Sequence, residues 1–224
     1  LAKATIEFIS LETTILNPLF INELSSPGSS PKILIAGCGT GNQIINASRY
    51  KNAQITAIDI SKNSLAYAAR KTHERQMRNV QLKQLDILDA NQLEDIYEVI
   101  ECSGVLHHMQ DPARGLAALN SKLMPGGYIK IGLYSKLARQ KVSAARELIQ
   151  TLGIQSTPEG IRDFRKQIFN DDQHELKSIS VLVNDFYSLS ECRDLCFHVQ
   201  EHQFTTESLQ KLLEDENLVF CGFM

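Results

Sequence analysis

Three glycines at alternate positions, Gly37, Gly39 and Gly41, stand directly behind an apolar run in the stretch "ILIAGCGTGN". Glycines placed so let the backbone turn tightly from a strand into a helix and approach a ligand without Cβ clashes, with the helix N–H groups facing it. Cys38, Thr40 and Gln43 complete the loop. A dinucleotide fingerprint spaces its glycines G-x-G-x-x-G, and Asn42 stands where the third would be, so the spacing leans away from a nicotinamide cofactor. Asp59, followed by Ile60, ends a second apolar run, where a carboxylate can accept both hydroxyl hydrogens of an adenosine ribose. Asp86, followed by Ile87, closes a third and is placed to accept from the exocyclic amine of adenine. Ser103, Gly104 and Val105 close a fourth. Together these ends outline a nucleoside site more specifically than any one of them.

The elements that must carry these residues are short apolar runs alternating with amphipathic segments between Pro31 and Ser135, which is the pattern of βαβ units around a parallel sheet. "KILIAG", "AQITAIDI", "VQLKQLDI", "YEVIECSGV" and "YIKIGLYS" read as five strands; Ser61 caps a long helix, and "DPARGLAALNSKL" is another. Residues 136–204 break the rhythm with polar helical segments and read as a helical insertion after the fifth strand, covering the active site at the carboxyl edge where open α/β sheets bind ligands. A helix and strand at 205–224 return to the core, and 1–30 reads as an N-terminal helical segment and linker. At 224 residues, with 43% hydrophobic and 22% charged residues, the chain can bury a sizeable core without cross-links. Its net charge of −3, with Lys and Arg scattered, argues against nucleic acid, and no apolar stretch is long enough for a membrane span. Five cysteines, an odd number, fit reduced thiols and a cytoplasmic setting. Both ends read as cut from a longer chain.

The motifs "GCGTG", "AIDIS", "LDILD", "GVLHHMQDP" and "LMPGGYIKIG" resemble class I S-adenosylmethionine-dependent methyltransferases, over 33–135 and again over 204–223. The resemblance implies a Rossmann-like α/β fold whose mostly parallel, seven-stranded sheet carries helices on both faces, with the last strand missing here. It implies S-adenosyl-L-methionine as cofactor, with S-adenosyl-L-homocysteine as product. Gly37, Gly39 and Gly41 would surround the methionyl part, Asp59 the ribose and Asp86 the adenine. One departure is Ile35, which stands where that family usually has an acid two residues before the first glycine. A narrower likeness, through "GLYSKLARQKVSAAREL", "TPEGIRDFR" and "DFYSLSECRDLCFHVQEHQFTTESL", is to the methyltransferase domain of bacterial proteins with tetratricopeptide repeats upstream, so such a region is expected before Leu1.

Methyl transfer is an in-line displacement, so the protein mainly positions the acceptor and, for an N or O nucleophile, removes a proton. His107 and His108, just after the fourth strand, offer imidazoles suited to that task near pH 7; the competing reading is that one of them only packs. Glu201, His202 and Tyr134 form a second candidate set that could bind or deprotonate an acceptor, against a polar network that merely holds the cover down. Cys192, Cys196, His198 and His202 could ligate zinc by type, but two thiols on one helix face pack more simply, and no metal is expected. The "HVQEH" match to an inverted zinc-peptidase pattern lacks room for its third ligand. The acceptor is expected to be a small molecule or a protein side chain. A non-catalytic S-adenosylmethionine-binding interaction domain and a nicotinamide-dependent reductase are the rival readings.

Overall fold

A computed structural model of the chain describes residues 2–8, 30–50, 52–170, 176–182, 186–197 and 200–223. They divide into two compact units, one built from the sheet segments up to Leu133 and from Thr206 onward, the other from Tyr134 to Thr205.

The sheet unit holds β1 (Ala2–Phe8), β2 (Lys32–Ala36), β3 (Gln54–Asp59), β4 (Val80–Gln84), β5 (Tyr97–Ser103), β6 (Leu123–Leu133) and β7 (Leu218–Phe223), ordered β4-β3-β2-β5-β6-β1-β7. Every pairing among them is parallel. Strands buried on both faces must be apolar throughout, and Ile33, Leu34, Ile35 and Ala36 are all fully buried. Its helices are α1 (Asn42–Asn46), α2 (Lys62–Glu74), α3 (Pro112–Asn120) and α8 (Thr206–Asp215). Capping sets where two of them begin: Ser61 Oγ accepts from Ser64 N at 3.2 Å, and Asp111 accepts from Ala113 N at 3.0 Å with Pro112 in the first turn.

The N-terminus departs from the expected helical segment over 1–30. Ala2–Phe8 is a strand, paired with β6 on one side and β7 on the other. Its alternation of Ala2, Ala4, Ile6 and Phe8 suits a period of two, and two sheet edges with backbone groups to satisfy decide the matter. The seventh place in the sheet, expected to be empty, is taken by this segment; residues 9–29 lie outside the described ones.

The sequence of connections creates the binding edge. The chain runs outward from β2 to β3 and β4, then returns to place β5 on the other side of β2, so the order reverses between β2 and β5. Crossovers diverge there and leave a crevice at the carboxyl ends.

The second unit contains α4 (Gln140–Thr151), α5 (Pro158–Asn170), α6 (Lys177–Leu182) and α7 (Leu189–Cys196). Val142, Ala145 and Ile149 of α4 and Ile161, Phe164 and Ile168 of α5 recur at helical spacing and share one core with Cys192, Leu195 and Cys196. Phe164 meets Phe186 and Phe197 edge-on, at 6.1 and 5.8 Å between ring centroids. The two thiols one turn apart are therefore core residues. His198, the third member of the suspected zinc set, lies outside the described residues, and among those described no group of three or more ligands could hold a metal. No described helix is long and apolar enough to cross a membrane.

Candidate functional site

In the sheet unit the glycine loop leaves β2 with Gly37 N and Cys38 N both donating to Ile58 O, at 2.9 and 3.0 Å. Gly37, Gly39 and Gly41 all have positive φ, at +73°, +51° and +95°, where side chains are strained. Their surroundings differ. A Cβ on Gly37 would lie 2.3 Å from Val105 Cγ2 and one on Gly41 3.1 Å from Ala68 Cβ, whereas one on Gly39 would meet nothing within 4 Å. Gly37 and Gly41 are thus needed for packing against the turn after β5 and against α2, and Gly39 faces open space. Thr40 beside it is exposed, and Cys38 is buried. Burial, and then the nearby charge of Asp59, push the Cys38 thiol up to about 12, so it stays neutral.

Asp59 is locked on both oxygens. Oδ2 accepts from Gly39 N and Oδ1 from Ser61 N, each at 2.8 Å, which ties the loop to the start of α2. Each oxygen keeps a lone pair for a ligand hydroxyl. Asp59 lies in register with Gln84, whose Nε2 donates to Ile60 O at 3.0 Å, so the end of β4 is joined to the end of β3. Asp86 caps the 3-10 turn Ile87–Gln92 through Oδ1, which accepts from Leu88 N at 2.9 Å. Ile60 is 67% exposed and Leu88 is 42% exposed. Two bare aliphatic side chains next to two carboxylates suit a flat base with polar edges. Leu88 was not singled out from the sequence; Ile87, which was, is buried beneath.

Across the crevice, Gln43 Nε2 donates to Ser103 O at 2.8 Å. Because that carbonyl can only accept, the amide orientation is fixed, and Gln43 Oε1 is left buried without a partner among the described residues. An orphaned acceptor between the glycine loop and Ser103–Val105 fits an ammonium donor such as the one on a methionyl group. The residues present therefore fit S-adenosylmethionine: open space above Gly39, two strand-end carboxylates, an apolar platform and an unmatched acceptor. Ile35 lies in register with Glu101 of β5, a buried acid that accepts from Tyr50 Oη at 2.6 Å and pairs with Arg49. An acid thus remains one strand away from the usual position. Its signal was a charge inside the otherwise apolar "YEVIECS".

The paired histidines separate cleanly. Both lie in the 3-10 turn Leu106–His108, with ring centroids 4.2 Å apart, but His107 is fully buried and His108 only partly. The expectation that either could serve is corrected: a ring shut away from solvent cannot reach an acceptor, and His107 packs.

In the helical unit, Ser135 bridges Phe204, and Phe204 N donates to Tyr134 O at 2.8 Å, so the entry and exit of the unit are stapled together. Glu201 Oε1 accepts from Arg139 Nε at 3.2 Å and Gln203 Nε2 at 3.1 Å; Oε2 accepts from Arg139 Nη2 at 2.7 Å and Arg146 Nη2 at 2.8 Å. Burial alone would raise its pKa, but Arg139, Arg146 and Gln203 outweigh that, and the carboxyl sits below its usual value. A saturated carboxylate that holds its proton weakly is a counter-ion, not a base, which corrects the catalytic expectation for Glu201. His202, next in the chain, has Nε2 buried with no partner among the described residues. Tyr134 carries the Arg139 guanidinium 3.6 Å above its ring centroid.

A family profile described as a methyltransferase domain matches residues 28–151. An uncharacterized protein of Synechococcus sp. is 37% identical over 209 residues, covering 86% of this chain and 48% of that protein. A ubiquinone biosynthesis O-methyltransferase of Acinetobacter baylyi is 24% identical over 180 residues, covering 78% of this chain and 74% of that enzyme. PKMT2 from Rickettsia typhi shares the fold with a TM-score of 0.69 at 20% identity, over 89% of this chain and 42% of that one, and its structure in complex with AdoHcy is also similar. The chain thus spans about half the length of the Synechococcus relative and less than half of PKMT2.

Proposed function

Because this chain belongs to the methyltransferase-domain family, we propose that it transfers a methyl group from S-adenosylmethionine to a nucleophile, most simply a hydroxyl, on a small molecule. The observation that carries the reading is the crevice at the β2–β5 reversal, where Gly39 faces open space and Asp59 stands fixed by two 2.8 Å bonds. The likeness to an O-methyltransferase supports the hydroxyl.

Bound there, S-adenosylmethionine supplies an electrophilic methyl group on a sulfonium centre. Asp59 accepts from the ribose hydroxyls, and Asp86 accepts from the adenine amine while Ile60 and Leu88 cover the base. Gln43 Oε1 accepts from the ammonium, and the backbone from Ser103 to Val105 closes the crevice from the β5 side. Gly37, Cys38, Thr40, Gly41 and Ile87 shape the loop and its floor. His108, at the carboxyl end of β5, takes the acceptor's proton. Glu201 and Tyr134 position Arg139. The helical unit is joined to the sheet unit directly after β6 and directly before α8.

The test is calorimetric titration with S-adenosylmethionine, S-adenosylhomocysteine and NADH in parallel. Micromolar binding of the first two and none of the third is expected. Binding of NADH alone overturns the reading in favour of a reductase.

A further inference from the structure

The segment that carries Gln43 is too short to fix its own position. α1 spans five residues, fewer than an isolated helix needs to persist in water, and no side chain caps its start at Gly41. It continues through the 3-10 turn Ala47–Arg49 to Tyr50. Ile44, Ala47 and Tyr50 share one buried core with Ile33, Ile35 and Val99. Apolar contact is non-directional, so by itself it lets a short segment slide or roll on the sheet.

Two polar contacts, both on β5, supply the direction. At the start of the segment Gln43 Nε2 donates to Ser103 O at 2.8 Å. At its end Tyr50 Oη donates to Glu101 Oε1 at 2.6 Å, and Arg49 Nη2 donates to the same oxygen. The two grips are linked inside the segment: Tyr50 N donates to Ala47 O at 3.0 Å, Arg49 Nη1 donates to Asn46 O at 2.6 Å, and Ala47 N donates to Gln43 O. A shift of Arg49 or Tyr50 therefore reaches Gln43 through the hydrogen bonds of its own turn.

Glu101 is only 2% exposed. A buried ion pair is a poor source of stability, because desolvation offsets most of the attraction and a well-packed apolar group often serves a core as well. Direction is what the apolar group lacks. Burial first, and then the charge of Glu101, push the Tyr50 phenol up, so it stays a donor. The Arg49 guanidinium lies 4.8 Å from the Tyr50 ring centroid, which holds the two donors together.

We propose that Glu101 is a positioning residue for the cofactor: through Tyr50 and Arg49 it sets the placement of α1 on β5 and so aims the unmatched Gln43 Oε1 at the ammonium of S-adenosylmethionine. This rests on the methyl-transfer reading for the ligand, while the two-ended grip stands on the geometry of the sheet unit.

The test combines E101Q with Q43L. Calorimetry compares S-adenosylhomocysteine with the analogue that lacks its amino group, and NMR follows the Gln43 side-chain amide without ligand. The native protein should prefer the amino ligand by about tenfold or more, as for a hydrogen bond to a charged group. E101Q should lose most of that preference while binding the amine-free analogue as before, and its Gln43 amide resonance should move toward that of a solvated amide. Q43L should lose the same preference, and E101Q added to it should remove no more. A Glu101 that only supported the fold would weaken both ligands alike or neither. Full preference in E101Q, equal loss for both ligands, an unmoved Gln43 amide, or a further loss of preference in the double variant overturns the proposal. If E101Q does not fold, Tyr50→Phe, which removes one donor and keeps the ring, takes its place, and native preference with an unmoved amide there overturns the proposal. Equal binding of the two ligands by the native protein overturns the aim of Gln43 and leaves the methyl-transfer reading standing. Binding of neither overturns that reading and the cofactor role of Glu101 with it, while the amide resonance still decides the grip.

Discussion

Asp59→Asn isolates the ribose contact, because it changes charge and one hydrogen-bonding direction while leaving length and shape nearly intact. In the native protein both carboxylate oxygens accept from backbone N–H groups at 2.8 Å, Gly39 on one side and Ser61 on the other. An amide can satisfy only one of them, so the variant should lose about 1 kcal/mol of folding stability. The second cost falls on the ligand. Ribose hydroxyls donating to a carboxylate gain about 1.5–3 kcal/mol more than they would from no partner, so the Kd for S-adenosylhomocysteine should rise about 10- to 150-fold. Calorimetry with S-adenosylhomocysteine and with its 2′,3′-dideoxy counterpart separates this contact from loop disorder. The counterpart should bind the native protein weakly and the variant no more weakly still. Native affinity for S-adenosylhomocysteine in the variant, or an equal loss for both ligands, would refute the assignment and leave Asp59 only as a clamp on the loop.

The glycines should separate in the same way: Gly37→Ala, whose Cβ would sit 2.3 Å from Val105 Cγ2, should cost about 1–3 kcal/mol in denaturant unfolding. Gly39→Ala has room, so it should cost only about 1 kcal/mol for its positive φ while S-adenosylhomocysteine affinity, read by calorimetry, drops. Glu201→Gln leaves two guanidiniums without a counter-charge and should destabilise by about 3–5 kcal/mol at neutral pH. Since the folded carboxyl sits below its ordinary 4.5, the stability it contributes is full above that value and disappears as pH falls through the lower folded value. Urea titrations of native and variant protein should therefore converge as the pH falls through that lower folded value, and a constant gap would contradict the ion-pair account. His107→Ala should cost about 2–3 kcal/mol as a core truncation, whereas His108→Ala should keep stability within about 0.5 kcal/mol and slow methyl transfer by roughly 100-fold; the reverse pattern would exchange their roles.

Much of the sheet unit was legible in the chain itself because its signals are short-range. Apolar runs bounded by turn residues marked β2 to β6, Ser61 and Asp111 marked helix starts, and the glycine spacing with Asp59 and Asp86 marked the strand ends at which the nucleoside site is proposed. The rhythm of the sequence changes after Ser135, and the second unit runs from Tyr134 to Thr205. The N-terminal strand was not legible, since "AKATIEF" fits a helix or a strand locally and only partners more than a hundred residues away, β6 and β7, choose between them.

The same distance in sequence hid the chemistry of the candidate site. Nothing in "HH" distinguishes a buried imidazole from an accessible one; the packing of the turn after β5 does. Glu201 read as a base because its type and neighbours allowed it, and became a counter-ion once folding brought Arg139, 62 residues away, and Arg146, 55 residues away, onto its oxygens. The open space over Gly39 and the orphaned Gln43 oxygen are likewise properties of two strands meeting, not of either segment. Sequence by itself determined the order of elements and the types of residue at their ends, because propensity, periodicity and turn chemistry act over a few residues. Only the tertiary structure decided which of those residues are paired, saturated or left open, because burial and charge neutralisation depend on what the rest of the chain places beside them.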